Sequence, residues 1–182
     1  GYIGLEMAEQ LKAQGIDVTV LQRGQHPMPH WDWDMSIRIE DEMRKQGIHF
    51  RPEETIAEVS GTTRLESAVT TKGEVLEADL YIIATGVLPN TALATSIGVD
   101  LGETGAIVTD STMQTNLEGV YAVGDVAESF HVITGKPMYR TMATTAKKMG
   151  RIAGAAMTGG PLRFQGIPVS HTLLTLQTIP PL

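Results

Sequence analysis

The first four residues contain glycines at a spacing that favours nucleotide binding. Gly1-Tyr2-Ile3-Gly4 matches the end of a Gly-x-Gly-x-x-Gly pattern at the start of a predicted helix. Such glycines let the backbone approach a pyrophosphate, whose charge the free N–H groups and the helix dipole stabilise. Gln22 and Arg23 follow the next predicted strand, where dinucleotide folds place the side chain that contacts the ribose. The alternative is a glycine-rich helix start that binds no ligand.

Other groups that could do chemistry are few. The sequence contains no cysteine, so disulfides, thiolate metal sites and thiol nucleophiles are excluded within it. The five histidines lack the mutual spacing of metal ligands, and we expect no metal site: His26, His30, His49, His131 and His171. The segment Trp31-Asp32-Trp33-Asp34 is interpreted as a loop leading into a helix, with Asp34 or Ser36 as its cap.

Composition and charge indicate a globular protein. Its 182 residues are 42% hydrophobic, which is enough for a buried core, and the net charge of −7 is spread along the chain. The spread charge does not favour a nucleic-acid partner. The longest apolar runs are far shorter than the ~20 residues that span a bilayer, so we expect no membrane partner. We expect a cytoplasmic location. The chain begins with Gly1 rather than Met, and we expect it to be an internal piece of a longer protein.

Hydrophobic periodicity predicts the elements that would position these residues. The first half predicts helices at residues 3–14 and 35–46, each followed by a glycine, and a buried strand at residues 16–21. Four short extended segments suit a small antiparallel meander, followed by a further buried strand: residues 48–51, 56–60, 66–71 and 74–77, then 79–85.

The second half predicts fewer and shorter elements. Strands are expected at residues 106–109 and 119–123, and a long helix rich in small residues at 139–157. Residues 167–182 have no secure assignment. The alternation of helices with buried strands predicts an α/β fold.

Four motifs in a fixed order give the sequence a family resemblance. They are Gly-Tyr-Ile-Gly-Leu-Glu-Met-Ala-Glu at 1–9, Ala-Thr-Gly-Val-Leu-Pro-Asn-Thr at 84–91, Gly-Val-Tyr-Ala-Val-Gly-Asp at 119–125, and the helix from Ala143 to Arg151. Together they resemble the pyridine nucleotide-disulphide oxidoreductases, which use FAD and NAD(P)H. The segment 147–154 and the following Gly-Gly-Pro-Leu-Arg-Phe are most similar to coenzyme A-disulfide reductases and NADH oxidases.

The resemblance implies a flavin site in the second half. The family's aspartate at the position of Asp125 binds the ribityl chain of FAD, and Gly124 allows close approach of the backbone. The helix start at Thr141, Met142 and Ala143 would direct backbone N–H groups at the flavin pyrimidine ring. This chain departs from the family there, which commonly has Pro-Leu-Ala, but a backbone contact survives that change. The alternative for Asp125 is a turn or cap residue.

The resemblance also implies a nicotinamide site in the first half. Glu6 occupies the position of a carboxylate near the nicotinamide carboxamide, although a surface glutamate of the first helical turn is the alternative. Thr85 and Gly86 match a turn lining the cofactor cleft, whereas Pro89 and Asn90 would shape that turn. NAD-preferring members usually have an acidic residue at Gln22. At Gln22-Arg23 this carboxylate is absent, so a 2′-phosphate is not repelled, and the Arg23 guanidinium can bind it. We therefore expect a slight preference for NADPH over NADH.

These expectations amount to Rossmann-like, three-layer FAD- and NAD(P)-binding domains with a parallel sheet and a small antiparallel meander. Residues 1–87 would bind NAD(P)H, residues 88–160 would form the second half of a flavin domain, and residues 161–182 would begin an interface domain. The implied parent is a homodimer that passes hydride from NAD(P)H to FAD and on to a disulfide, a thiol-derived acceptor or oxygen. The alternatives are a ferredoxin-reductase-like flavoprotein and a nucleotide-binding module without catalysis; we expect the 182-residue chain alone to be inactive.

Overall fold

Helices alternate with parallel strands in the first part of the chain, as in α/β proteins. The computed structural model describes residues 1–168, which fall into two compact units that divide between Gly86 and Val87. Both parallel and antiparallel strand pairs are present, and the predicted fold class is confirmed. No helix within residues 1–168 is long and apolar enough to cross a bilayer.

The first unit begins with two helices that alternate with two parallel strands. Its elements are α1 (Tyr2–Ala13), β1 (Thr19–Gln22), α2 (Trp33–Lys45) and β2 (His49–Pro52). Strands β1 and β2 pair in parallel, with Gln22 opposite Pro52. Gly15 and Gly47 follow the two helices at φ of +80° and +72°, which confirms them as helix-ending residues. The core contains residues from the helices and from the chain leading into the strands: Ala8, Val18, Met43 and Ile48.

Three short antiparallel strands follow. One sheet contains, in this order, β3 (Ile56–Ser60), β4 (Ser67–Thr70) and β5 (Val75–Glu77). This is the order of the predicted antiparallel meander. The prediction that residues 48–51 belong to this meander is wrong. Because α2 carries the chain back between β1 and β2, these strands run in the same direction and pair in parallel.

Two further predictions in the first unit are wrong. Residues 79–85 form no strand, and the Ile83 side chain is 85% exposed; no strand among residues 1–168 hydrogen-bonds to this apolar segment. Neither Asp34 nor Ser36 caps α2, whose N-cap is Asp32 without a side-chain hydrogen bond. Ser36 instead donates to the Met28 carbonyl, so its hydroxyl anchors the preceding loop.

The second unit is built from short elements around one core. It contains α3 (Ala92–Ser96), a 3-10 turn at Gly124–Val126, β6 (Ser129–Phe130), β7 (Pro137–Met138) and α4 (Ala143–Met157). Strands β6 and β7 form a hairpin. The buried side chains come from loops as well as from α4 and the chain after it: Val99, Ile107, Met113, Ala122, Ala127, Met149, Ala153, Phe164 and Ile167.

Three element predictions in this unit are wrong. Residues 106–109 and 119–123 form isolated bridges rather than strands, through Ile107 and Tyr121, because the intervening chain turns at Asp110, whose carboxylate accepts hydrogen bonds from the N–H groups of Thr112 and Gln114. Helix α4 begins at Ala143 rather than at residue 139, since the residues before it are used by the β6–β7 hairpin. The unassigned residues 169–182 lie outside the described residues.

Candidate nucleotide-binding sites

The start of α1 has the properties of a phosphate-binding helix terminus. Gly1 is the N-cap, and its carbonyl accepts the first helical hydrogen bond from Leu5 N–H at 3.1 Å. Within residues 1–168 no side chain caps this end, and the first turn has no acidic residue. The leading N–H groups therefore lack side-chain acceptors, as an anion-binding terminus requires. Tyr2, Ile3 and Glu6 are exposed on this helix.

Gly4 lies beside the chain segment that contains the predicted cleft residues. A β-carbon at Gly4 would lie 3.4 Å from the Ala84 side chain. Ala84 directly precedes Thr85 and Gly86, and Gly86 has a φ of +108°. The structure thus brings the predicted cleft residues Thr85 and Gly86 next to the start of α1.

The other predicted residues of this unit lie where β1 ends. Gln22 is the last residue of β1, and Arg23 is exposed. The Gln22 carbonyl accepts a hydrogen bond from Glu54 N–H at 3.0 Å, and the Gly24 carbonyl accepts one from Glu53 N–H at 3.1 Å. In open α/β sheets, ligands bind at this carboxyl edge of the strands. Arg23 has no ion pair or hydrogen bond within residues 1–168.

A charged network behind this edge was not predicted from the sequence. Glu54 is 2% exposed, and both of its carboxylate oxygens accept hydrogen bonds from Arg51, at 2.9 and 3.0 Å. Arg51 also binds Glu74 of the meander, and Lys72 lies 3.7 Å from Glu54. A hydrogen bond with the Thr70 side chain, followed by the Arg51 contacts, lowers the pKa of Glu54 against the opposing effect of burial.

The network fixes the charge of its members. Hydrogen bonding to Glu74 raises the pKa of Arg51, and hydrogen bonding from Arg51 lowers the pKa of Glu74. All three groups are thus held in their charged forms. Because Arg51 lies in β2 and Glu74 directly precedes β5, the network ties the parallel pair to the meander. Arg51 and Glu74 are 23 residues apart in sequence, and no local pattern could have identified them as partners.

The second unit contains a cavity of about 300 Å³. Four polar side chains line it, and none has a hydrogen-bond partner within residues 1–168: Asn90, Asp125, Tyr139 and Thr141. Convergent polar groups without protein partners are typical of a ligand site. The 3-10 turn holds Asp125 at the cavity, and this turn favours glycine at position 124 because the φ there is +76°.

The cavity also adjoins the start of α4. Thr141 lines it, Met142 is the N-cap of α4, and Ala143 is its first residue. The Met142 carbonyl accepts the hydrogen bond from Ala146 N–H at 2.9 Å, and no side chain of the described residues caps this end. The structure therefore brings Asp125 together with the helix start that the sequence singled out, and it leaves the first N–H groups of a 15-residue helix uncapped.

Tyr139 and Asn90 line this candidate site, and the sequence reasoning did not identify them as candidates. The sequence predicts only a turn-shaping role for Asn90 and places Tyr139 inside the long helix. Burial, and then the charge of Asp125, raise the pKa of the Tyr139 hydroxyl, which is consistent with their shared cavity. The position of Tyr139 just before a helix that begins next to the aspartate motif was the available signal. No cluster of metal-ligating residues occurs in the described part of the chain.

Comparisons with known proteins agree with this geometry. Residues 1–151 match the family model of the pyridine nucleotide-disulphide oxidoreductases. The chain is 45% identical over 168 residues to an NAD(P)H sulfur oxidoreductase (CoA-dependent) of Pyrococcus abyssi, covering 92% of this chain and 37% of that protein. It is 33% identical to a coenzyme A disulfide reductase of Staphylococcus epidermidis, covering 91% and 37%.

A solved structure gives the same result. The NAD-dependent persulfide reductase of A. fulgidus superimposes with a TM-score of 0.87 at 35% identity, covering 92% of this chain and 31% of that one. The chain thus spans a little more than a third of the length of the two curated relatives.

Proposed function

The chain belongs to the pyridine nucleotide-disulphide oxidoreductase family, and from that premise we propose that it is part of a flavoprotein that passes hydride from NAD(P)H to FAD. The observation that carries the proposal is the cavity of the second unit, where four unpartnered polar side chains meet an uncapped helix start. Bound FAD would supply the hydride acceptor and the redox chemistry. The residues of this chain bind and orient it.

The groups at this cavity fit a flavin. The exposed Asp125 carboxylate is an acceptor for hydroxyl groups of a ribityl chain, and the neighbouring Tyr139 and Thr141 hydroxyls can donate or accept in turn. The free N–H groups at the start of α4 stabilise negative charge placed beside them. Together these groups suit a polyol attached to a ring system that becomes more negative when reduced.

The first unit fits the nicotinamide nucleotide. The uncapped start of α1 suits the pyrophosphate, and Glu6 would bind the carboxamide. We propose a preference for NADPH because Arg23 is exposed and unpaired within residues 1–168, so its guanidinium is available to a 2′-phosphate.

The names of the relatives suggest the final acceptor. Two of them are described as a CoA-dependent sulfur oxidoreductase and a coenzyme A disulfide reductase. We propose a thiol-derived sulfur acceptor carried by coenzyme A for the whole protein. Since the sequence has no cysteine, any thiol step would depend on residues outside it.

Flavin titration tests the proposal at its central residue. FAD is added to the 182-residue chain and binding is followed by fluorescence anisotropy. We expect saturable binding that Asp125→Asn weakens about tenfold, because the amide loses the charge-assisted hydrogen bonds. Asp100→Asn, a change at another exposed aspartate of the same unit, should leave it unchanged. Absence of saturable binding, or equal effects of the two variants, would refute the flavin site.

A second titration tests the NADPH preference. 5′-ADP and 2′,5′-ADP are the probes, because they present the nucleotide without and with the 2′-phosphate. Arg23→Ala should weaken 2′,5′-ADP binding about tenfold and change 5′-ADP binding by less than about twofold. The control is Arg38→Ala, which removes an exposed arginine of α2. A parallel loss for both probes would contradict a role in reading the 2′ position.

A further inference from the structure

We propose that Glu53 helps to determine the choice between NADH and NADPH. Its carboxylate follows β2 and replaces the acidic side chain that is absent from the end of β1. This inference rests on the proposed nucleotide site at the carboxyl edge of the parallel strands. It assigns the choice between NADH and NADPH to two opposing charges at the ends of adjacent strands, Arg23 and Glu53.

The register of the parallel pair places Glu53 at this edge. Gln22 and Pro52 are opposite each other as the last residues of β1 and β2. Arg23 and Glu53 are therefore the first residues beyond the two strands. Because parallel strands present their carboxyl ends at one edge, both residues leave the sheet on the side where ligands bind.

Hydrogen bonds hold Glu53 against the loop that follows β1. Its N–H donates to the Gly24 carbonyl at 3.1 Å, and its carboxylate accepts from the Gln25 side chain at 3.4 Å. The adjacent N–H of Glu54 donates to the Gln22 carbonyl at 3.0 Å. Buried Glu54 is fixed by Arg51, so the Glu53 backbone is anchored on both sides.

The backbone of Glu53 adopts a conformation that glutamate rarely takes. Its φ is +53°, in the left-handed region, where a residue with a β-carbon is strained. Such strain persists only where the surroundings impose it, and it concentrates at functional sites. Here the strained turn directs the chain back to Gly24. It keeps the exposed Glu53 carboxylate next to the loop that follows β1, where the ribose is proposed to bind.

The chemistry of the two charges differs for the two nucleotides. A carboxylate accepts hydrogen bonds from ribose hydroxyl groups and repels a 2′-phosphate, whereas the Arg23 guanidinium attracts that phosphate. Arg23 and Glu53 make no ion pair with each other, so neither charge is neutralised by the other. A site with both groups accepts NADH and NADPH, and removal of the Glu53 charge should shift it towards NADPH.

The test measures the ratio of two affinities on the 182-residue chain by isothermal titration calorimetry, with 5′-ADP and 2′,5′-ADP as probes. Glu53→Gln keeps the size of the side chain and removes its charge. We expect it to strengthen 2′,5′-ADP binding about fivefold and to weaken 5′-ADP binding, because repulsion of the phosphate and acceptance of the hydroxyl are both lost. Glu53→Asp should restore the original ratio at least in part.

A matched control separates local from general electrostatics. Glu58→Gln removes an exposed carboxylate from β3 of the same unit and should leave the ratio unchanged. An equal shift in Glu58→Gln and Glu53→Gln, or no shift in either, would overturn the assignment while leaving the nucleotide site intact. If the unsubstituted chain binds neither probe, the nucleotide site itself fails and the role of Glu53 fails with it.

Discussion

Polar residues in the two units differ in whether the protein itself satisfies them. Glu54 is buried and receives hydrogen bonds from Arg51, so its charge is used within the fold. Asp125 and Tyr139 line a cavity and have no hydrogen-bond partner in the part of the chain that the structure describes. The first arrangement stabilises structure, whereas the second leaves hydrogen-bonding capacity for a ligand.

The shared cavity leads to a prediction about the pKa of Tyr139. Burial is the larger cause of its raised pKa, and the negative charge of Asp125 adds to it because it disfavours the tyrosinate. Asp125→Asn should therefore lower the Tyr139 pKa but not return it to that of an exposed tyrosine. The pKa is measured by ultraviolet titration as the difference from Tyr139→Phe. Asp100→Asn provides the control, and an unchanged pKa in Asp125→Asn would show that the two groups do not interact.

Local elements were predictable to different degrees. The helices that end before Gly15 and Gly47 were identified because apolar periodicity and helix-ending glycines are encoded within a few residues. Residues 79–85 have the composition of a buried strand, but a strand also requires a neighbour, and none among residues 1–168 pairs with it. The Arg51 network also depends on partners distant in sequence, so local patterns could not indicate it.

The network linking β2 to the meander predicts a pH dependence. The folded-state pKa of Glu54 is lowered, so its stabilising contribution is complete above the unfolded value of about 4.3 and is lost as the pH falls through the folded value. Glu54→Gln should lower the Tm at pH 7 by several degrees. The difference from the original chain should shrink below about pH 4.3, as followed by circular dichroism. Glu58→Gln, on exposed β3, should show little effect; a constant difference down to about pH 2 would contradict the linkage.

The segment after α4 makes a second prediction at this scale. Gly166 has a φ of +80°, and a β-carbon there would lie 2.6 Å from the Phe130 ring and 2.7 Å from the Phe130 carbonyl oxygen. That carbonyl accepts the hydrogen bond from Ile167 N–H. Gly166→Ala should therefore reduce the free energy of unfolding by about 2–4 kcal/mol.

Gly159 provides the matched control for this substitution. It has a similar φ of +77°, but a β-carbon added there would have no atom of the described residues within 4 Å, its chain neighbours aside. Gly159→Ala should cost only about 1 kcal/mol, which is the backbone strain alone. Urea unfolding measures both values. Equal losses of unfolding free energy in the two variants would show that the contact with Phe130 does not add to the backbone strain.

At the scale of the whole molecule, each unit has its own core and its own candidate site. The core of the first unit contains Ala8, Val18, Met43 and Ile48. The core of the second unit includes Met113 and Met149. The order of four motifs across residues 1–151 was sufficient to identify the family. The second and third contain glycines at positive φ, whereas the first begins α1 and the fourth lies within α4. The positions of Tyr139 at the cavity and of Glu53 at the end of β2 were identified only from the folded structure.

We also make a prediction about turnover by the 182-residue chain. Reduction of a disulfide by a flavoprotein of this kind requires a thiol to exchange with it, and these 182 residues contain no cysteine. The chain should therefore bind NADPH without reducing coenzyme A disulfide, even when FAD is added. The release of coenzyme A thiol, followed by chromatography in the absence of oxygen, should match that of a mixture without protein. Faster release that Asp125→Asn abolishes would contradict this expectation, because it would demonstrate electron transfer to the disulfide on a chain without a thiol.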